Sequence, residues 1–343
     1  MLGEHPMTKF RLIPFFISML TVSLVGCKKP ASEATGSQAD ITLDWKPEPE
    51  FGGFYQATLD DSFKHRGLDV TLKTAGAGAA TWQLVASGQT TFATTAADQV
   101  LIAREHGADV VAIFAVYQTS PQGILVHKNR GFKSIEDVFK SPGTLAAEDD
   151  TWLHFLVGKY SPLQVKVTGY GSGIATFLAD PNYSQQCFVT SEPLLAARKG
   201  ADVQTFLIAD AGYNPYTTVL ITSRKTIDTH PKLVHELVAA CADGWRHYLD
   251  DPSTSNATMA KLNTEMEPDI FKAAAAAQAP LIDTAETKTA GLGAMSTSRW
   301  DELARQMVKL GVLKEVPDPN RAFRNPTING GSSPVAGSQP SVN

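Results

Sequence analysis

The sequence is poor in cysteine and has no dense run of positive charge in its predicted folded part. Its 343 residues contain three cysteines and carry a net charge of −5. Two of the cysteines, Cys187 and Cys241, are too isolated to form a disulfide framework, so we interpret them as buried thiols. The charge gives no support for a nucleic-acid or acidic-membrane partner.

Motifs for catalysis and metal binding are also missing. No phosphate-binding loop of the G-x-x-x-x-G-K-[ST] type occurs, and the glycines of 169–173 do not complete G-x-G-x-x-G. Ser172 lacks the glycine two residues earlier that a nucleophile elbow requires. The eight histidines form neither H-E-x-x-H nor H-x-H. The sequence therefore predicts no catalytic residue, no metal and no cofactor, and a protein that is not an enzyme.

The first residues are typical of an export signal. Lys9 and Arg11 form a basic start, and an apolar run of about 14 residues follows at 12–25. That run is too short to span about 30 Å of hydrocarbon. We predict a signal peptide over 1–26, and Met7 is an alternative start to Met1.

Gly26 directly before Cys27 resembles the bacterial lipobox. The resemblance implies cleavage before Cys27 and a diacylglycerol thioether on its sulfur; an ordinary signal peptide with an incidental cysteine is the alternative. Segment 27–39 lacks large apolar groups and is predicted to be a flexible tether. Segment 329–343 is rich in Gly, Ser and Pro and is predicted to be a disordered tail. We expect a protein of the cell envelope, lipid-anchored and facing the periplasm or the exterior.

The folded part alternates strand-like and helix-like segments, which predicts an α/β fold with mixed, mainly parallel sheets. The predicted strands are 41–45, 68–73, 91–94, 110–116, 123–128, 143–147, 164–168, 186–190, 203–208 and 217–223. The predicted helices are 53–66, 79–87, 97–106, 134–140, 151–159, 173–179, 192–199, one from Pro231 to Asp250, 256–266, 268–277 and 298–311.

After residue 223 the pattern is helical only, so we predict two lobes and a helical C-terminal part. Lobe one comprises 40–120 plus 217–328, and lobe two comprises 123–215. The two crossovers each carry a proline, Pro121 and Pro215, and are expected to act as the hinge.

Polar and aromatic side chains follow several predicted strand ends. In open α/β sheets, ligands bind outside the carboxyl ends of the strands. We therefore predict that a ligand-binding cleft is lined by Asp44, Trp45, Thr95, Asp98, Tyr117, Asp149, Trp152, Glu192 and Tyr213. Structural alternatives remain open: Trp45 as a core ring, Asp149 and Asp150 as helix caps, and Glu192 as a first-turn acid.

Five blocks in order resemble the NMT1/THI5-like family of solute-binding proteins. They are Leu43-Asp-Trp45 with Gly53-Phe-Tyr55, Ala86–Gln89 with Phe92–Val100, Ala115–Pro121, Ser134–Phe139, and Tyr213–Tyr216 with Pro231–Pro252. The resemblance implies a two-lobe, type II periplasmic-binding fold that closes on a small-molecule ligand. It also implies an ABC permease and its ATPase as partners, with the binding protein as a monomer.

The resemblance implies ligands such as thiamine-precursor pyrimidines or riboflavin and, in sister groups, sulfonates and nitrate. The candidate wall groups include no arginine, which an anion site would use. The candidate wall groups that carry charge are all acidic: Asp44, Glu48, Asp98, Glu148, Asp149 and Glu192. Acceptors beside aromatic rings suit a flat ring with N–H donors, so an aminopyrimidine is the predicted ligand. Riboflavin and a sulfonate are the alternative ligands. A pyrimidine-synthesising enzyme of the THI5 type is the alternative function, although the cysteine-rich segment of those enzymes is missing.

Overall fold

The computed structural model describes residues 36–76, 79–171 and 173–325. The predicted signal peptide, Cys27 and the predicted tail lie outside the described residues. Ten strands are present: β1 (Ser37–Leu43), β2 (Leu68–Thr74), β3 (Phe92–Thr95), β4 (Val110–Tyr117), β5 (Gln122–His127), β6 (Gly143–Ala147), β7 (Val165–Gly169), β8 (Tyr183–Phe188), β9 (Val203–Leu207) and β10 (Thr217–Ser223).

Fifteen α-helices are described in these ranges. They are α1 (Gly52–Leu59), α2 (Ser62–His65), α3 (Thr81–Ala86), α4 (Ala97–Glu105), α5 (Ile135–Lys140), α6 (Thr151–Tyr160), α7 (Ala175–Ala179), α8 (Glu192–Arg198), α9 (Arg224–Thr229), α10 (Pro231–Asp250), α11 (Ser253–Leu262), α12 (Pro268–Ile282), α13 (Ala285–Ala290), α14 (Thr297–Lys309) and α15 (Pro319–Ala322). Short 3₁₀ helices occupy Pro49–Phe51, Lys128–Arg130 and Ile208–Ala211.

The strands form two five-stranded sheets, one in each lobe. The order is β2-β1-β3-β10-β4 in lobe one and β7-β6-β8-β5-β9 in lobe two. Each sheet has two parallel and two antiparallel pairings, because the strands that enter from the crossovers run against their neighbours. β1 begins at Ser37, before the predicted lobe boundary at 40, because Ser37–Ala39 pair with Leu68–Val70 of β2.

The lobe-one sheet is covered on both faces. One face packs against α1 and α10, where the apolar stripe of α10 is buried around Trp245. The other face packs against α4 and α14 in a cluster that continues into lobe two. α1 and α10 approach closely because glycines face each other: a Cβ on Gly244 would lie 2.4 Å from the carbonyl oxygen of Gly53. A Cβ on Gly52 would lie 2.2 Å from the Tyr248 ring and one on Gly53 would lie 2.2 Å from the Trp245 ring, which explains the glycine pair.

The two crossovers between the lobes are joined to each other. The backbone N–H of Ser120 donates to Oδ1 of Asn214 over 2.9 Å, and Oγ1 of Thr217 donates to Oγ of Ser120 over 3.2 Å. Arg299 of α14 donates to the carbonyl oxygen of Asn214 and stacks 3.8 Å from the ring centre of Tyr216. The connections between the sheets therefore form one bonded unit backed by α14.

Candidate functional site

Two neighbouring cavities lie between the lobes at the carboxyl ends of strands. The Trp45 cavity has a volume of about 260 Å³ and is lined by Asp44, Trp45, Glu48, Glu50, Gln122, Glu148, Tyr170, Gln186, Cys187, Phe188, Ser191 and Glu192. The Tyr213 cavity has a volume of about 240 Å³ and is lined by Ala96, Asp98, Gln99, Ser120, Gln122, Glu148, Asp150, Trp152, Phe188, Ile208, Tyr213, Pro215 and Thr217. Gln122, Glu148 and Phe188 line both, so the cavities are two parts of one cleft.

The loop after β1 supplies the aromatic face of the Trp45 cavity. Asp44 is held by Thr94 of β3, which accepts from the Asp44 backbone N–H over 2.9 Å and donates its hydroxyl to the Asp44 carboxylate. Trp45 follows and stays 41% exposed, which is unusual for an indole. Its ring is therefore available to a ligand, and the alternative of a core ring does not apply.

Contacts with the C-terminal helices position the rest of this loop. Nε2 of Gln278 donates to the carbonyl oxygen of Pro49 over 2.7 Å, and the Tyr117 hydroxyl donates to Oε1 of the same glutamine over 2.6 Å. Nδ2 of Asn263 donates to the Pro47 carbonyl over 3.2 Å and lies 3.4 Å from Oε1 of Glu48. Residues 44–48 form neither helix nor strand, so these bonds from distant residues fix the loop's shape up to the 3₁₀ helix that Pro49 begins.

Lobe two contributes the opposing wall at the start of α8. The Glu192 carboxylate accepts from the Tyr170 hydroxyl over 3.1 Å and from the backbone N–H of Phe188 over 2.9 Å. Tyr170 follows β7 and Phe188 ends β8, two strands of the same sheet, so the carboxylate is held at the cleft with a defined orientation. Glu192 is thus both a first-turn acid of α8 and a wall group of the Trp45 cavity.

The Trp45 cavity is strongly acidic. Five carboxyl groups line it, and no lysine or arginine does. Burial, followed by the charge of Glu192, raises the pKa of Glu48 to about 7. Burial raises the pKa of Asp44 and of Glu192, and burial together with the nearby carboxylates raises the pKa of Glu50 well above its usual range. Such a wall accepts hydrogen bonds and attracts positive charge.

The Tyr213 cavity repeats this chemistry on the crossover side. The Tyr213 hydroxyl donates to Oδ2 of Asp98 over 3.0 Å. Burial, followed by the charge of Asp150, raises the pKa of Asp98 to about 6. Trp152 adds a second indole to the wall, and again no lysine or arginine lines the cavity.

The structure places six of the nine predicted residues in these two walls. They are Asp44, Trp45, Asp98, Trp152, Glu192 and Tyr213. Thr95 is buried within β3, and Tyr117 is fully buried with its hydroxyl on Gln278. Asp149 is exposed and bonds to the imidazole of His154 at 2.6 Å, while its neighbour Asp150 caps α6 and faces the Tyr213 cavity.

Several wall residues were not among the nine. Glu50 and Tyr170 are the main ones, together with Gln122, which begins β5 directly after the first crossover. Tyr170 follows the end of β7, so the strand-end rule that found Glu192 applies to it as well. No comparable signal points to Glu50, because an acid between Pro49 and Phe51 has the pattern of an exposed loop.

The cysteines and the acidic groups show no metal-binding arrangement. In the described ranges, His, Cys, Asp and Glu side chains nowhere come together in threes as a metal site would require. Cys187 and Cys241 are both buried free thiols, as predicted, and burial raises the pKa of each. No helix among residues 36–76, 79–171 and 173–325 has the length and apolarity to cross a membrane.

The two-lobe architecture is that of solved periplasmic binding proteins. The aliphatic sulphonate binding protein SsuA of Escherichia coli matches with a TM-score of 0.64 at 14% identity, over 89% of this chain and 98% of its own. The nitrate-binding protein NrtA of Synechocystis PCC 6803 matches with a TM-score of 0.57 at 11% identity, over 84% and 86%. The predicted fold class is confirmed.

Fold and cleft together define a protein of the two-lobe periplasmic-binding fold class. Within that class the chain belongs to the NMT1/THI5-like family, whose model matches residues 48–255, more than half of the chain. The riboflavin-binding protein RibY of Chloroflexus aurantiacus is 24% identical over 317 residues, which cover 88% of this chain and 89% of that protein. The predicted family is therefore confirmed.

Proposed function

We propose that this protein binds a small planar N-heterocycle of the thiamine-precursor aminopyrimidine class and delivers it to an ABC permease and its ATPase. The observation that carries the proposal is the composition of the Trp45 cavity. An exposed indole stands beside five carboxyl groups, and the lining contains no cationic side chain. A flat ring with exocyclic N–H donors satisfies both features, since it stacks on Trp45 and donates to the acids.

The size of the cavity favours a single ring. Pockets for drug-sized ligands measure about 300–1,000 Å³, and the Trp45 cavity has about 260 Å³. A pyrimidine with short substituents fits that volume. The ligand then lies against Trp45 of lobe one and Glu192 of lobe two, and closure of the lobes stabilises the state that the permease recognises.

Riboflavin is the second candidate, favoured by the similarity to RibY. Its three-ring system with a ribityl chain needs more space than the Trp45 cavity provides, so it would extend into the Tyr213 cavity. A sulfonate is disfavoured because it would place negative charge against acidic walls. An enzyme of the THI5 type has no support from the described residues, which form no metal cluster.

We further propose that the protein is held at the membrane through lipid on Cys27 and acts as a monomer outside the cytoplasm. The basis is the sequence preceding Cys27. Mass spectrometry of protein isolated from membranes would test this: a lipid-modified N-terminal cysteine supports the anchor, and an unmodified or differently cleaved N-terminus contradicts it.

Native mass spectrometry of freshly purified protein tests the ligand directly, because a tightly bound solute is retained. It is followed by calorimetry with a hydroxymethyl-aminopyrimidine, riboflavin and an alkanesulfonate. Tightest binding of the aminopyrimidine supports the proposal, and tightest binding of riboflavin or the sulfonate replaces it with that candidate.

Trp45→Ala is the matching variant. We expect it to weaken aminopyrimidine binding by about 1–3 kcal/mol, because a stacked ring loses its partner. Leu262→Ala is the control, since Leu262 is an exposed apolar side chain that lines neither cavity. Equal affinities of the two variants would remove Trp45 from the site.

A further inference from the structure

Glu50 is a buried residue whose carboxylate has no hydrogen-bond donor among the described residues. The residue is 7% exposed, lies in the 3₁₀ turn after Pro49, and lines the Trp45 cavity. Among the described residues no backbone or side-chain group donates to its carboxylate within hydrogen-bonding distance, although neighbouring Asp44 and Glu192 both have donors. The Glu50 oxygens are not among the fully enclosed unpaired atoms of the described residues, so they open onto the cavity, where water, a proton, a counter-charge or a ligand satisfies them.

The ionisable groups that act on Glu50 are themselves acidic. Three negative charges disfavour the ionised form of Glu50: those of Glu48 from the same loop, Asp44 from the end of β1, and Glu192 from α8. Tyr117 of β4 is affected by Glu50 in turn and stays neutral, because burial raises its pKa. The nearest base along the chain, Lys46, pairs with Glu265 at 2.5 Å and is not part of the cavity lining.

These acids belong to different lobes. Asp44, Glu48 and Glu50 are carried by lobe one, and Glu192 is carried by lobe two. Closing the cleft therefore brings like charges towards each other in a setting with little water, where Coulomb repulsion is stronger than in bulk. With a neutral solute or an anion, the closed cleft relieves that repulsion only by taking up protons, whereas a cation removes it directly.

We propose that the cleft selects its ligand as a cation, with the positive charge between Glu50 and Glu192. The chemical class is a planar amidinium or a ring-protonated aminopyrimidinium, and Trp45 adds a cation–π face. This inference rests on the proposed function for the ligand's planar ring. It adds that the ligand is positively charged and that Glu50 recognises that charge.

Three probes of nearly equal size and shape isolate the charge. Benzamidine is a planar cation, benzamide is its neutral analogue, and benzoate is the anion. By calorimetry at pH 7 we expect benzamidine to bind about 10-fold to 100-fold more tightly than benzamide. We expect no binding of benzoate. Small-angle scattering should show contraction of the protein with benzamidine only.

Glu50→Gln should remove most of the preference for benzamidine over benzamide while keeping the shape of the side chain. Glu136→Gln is the control, because Glu136 is an exposed glutamate of α5 that lines neither cavity. Circular dichroism and melting of both variants verify that they fold.

The outcomes separate the two proposals. Aminopyrimidine binding together with equal affinities for benzamide and benzamidine, or with an unchanged preference in Glu50→Gln, overturns the charge inference and leaves the proposed function standing. Benzamidine binding that depends on Glu50, without aminopyrimidine binding, supports the inference and overturns the proposed ligand. Failure of benzamidine to bind overturns the inference.

Discussion

The two ends of α8 meet lobe one in opposite electrostatic settings. At its N-terminus, Glu192 faces the acids of the Trp45 cavity. At its C-terminus, the Arg198 guanidinium forms ion pairs with the carboxylates of Glu267 and Asp269 at the start of α12. Between these ends, Leu194 and Leu195 pack against the apolar cluster of lobe one.

The two ends of α8 therefore have different roles. The Arg198 end holds the lobes together, and the Glu192 end selects the solute. The Arg198 end is attractive whether or not the cleft is occupied, because its partners are opposite charges. The Glu192 end is repulsive until positive charge or protons enter. One helix of seven residues thus carries a contact that favours closure and a contact that makes closure depend on the ligand.

The largest effect should come from altering the N-terminal end. Glu192→Gln keeps the side-chain shape but removes a charged acceptor, so we expect about 10-fold to 100-fold weaker binding of the aminopyrimidine by calorimetry. Glu302→Gln on the exposed side of α14 provides the control. If Glu192→Gln binds the aminopyrimidine within twofold of the wild-type affinity, the N-terminal end of α8 does not recognise the ligand.

A pH series without a ligand tests whether burial and the nearby charge of Glu192 keep Glu48 protonated at that end. The raised pKa of Glu48 means that the folded protein keeps a proton that the unfolded chain releases above about pH 4.5. This contribution to stability is complete below pH 4.5 and is lost as the pH rises through about 7. We expect the melting temperature of the ligand-free protein to fall by a few degrees over that window.

Glu48→Gln should flatten the fall, since glutamine does not titrate, and differential scanning calorimetry of both proteins measures the difference. Identical pH profiles for the wild type and Glu48→Gln would contradict the assignment. At pH 7, bound ligand should raise the melting temperature of the wild type back to its value at low pH. That result would sharpen the comparison, because the ligand then replaces the missing proton.

The smallest effect is expected at the C-terminal end. Its ion pairs are partly exposed, so Arg198→Ala should cost about 0.5–1 kcal/mol of ligand affinity and should enlarge the ligand-free protein in scattering experiments. The loss should shrink in high salt. Arg305→Ala, which breaks an exposed pair with Asp301 inside α14, is the control. Unchanged affinity and scattering in Arg198→Ala would mean that this contact does not bias closure.

Much of the fold followed from the sequence because its strands are short, apolar and separated by clear helix signals. All ten predicted strands are present, with ends that differ by a few residues. The helix predicted over 134–140 is present as α5, and it begins with a capping box in which the Ser134 hydroxyl accepts from the Asp137 N–H. The short helices α9, α13 and α15 were missed, because they have four to six residues and present little periodicity.

The site was harder to predict, for two physical reasons. β4 is buried along its whole length, so alternation could not show that Tyr117 faces the core instead of the cleft. Glu50 is buried by contacts from α12, whose Gln278 lies far along the chain and cannot be connected to Pro49 by any local pattern. Asp149 and Asp150 look alike in sequence, yet the start of α6 directs only the second towards the cleft.

The bond between Ser120 and Asn214 has a consequence for how a solute arrives. Because it couples the two interlobe connections, we expect the lobes to move relative to each other by rotation about that place. The Tyr213 cavity borders this pivot through Ser120, Pro215 and Thr217, whereas the Trp45 cavity touches it only through Gln122. We therefore expect opening to widen the Trp45 cavity most, so that the solute enters past Trp45. The Tyr213 cavity, which lies next to the pivot, should keep its shape between binding events.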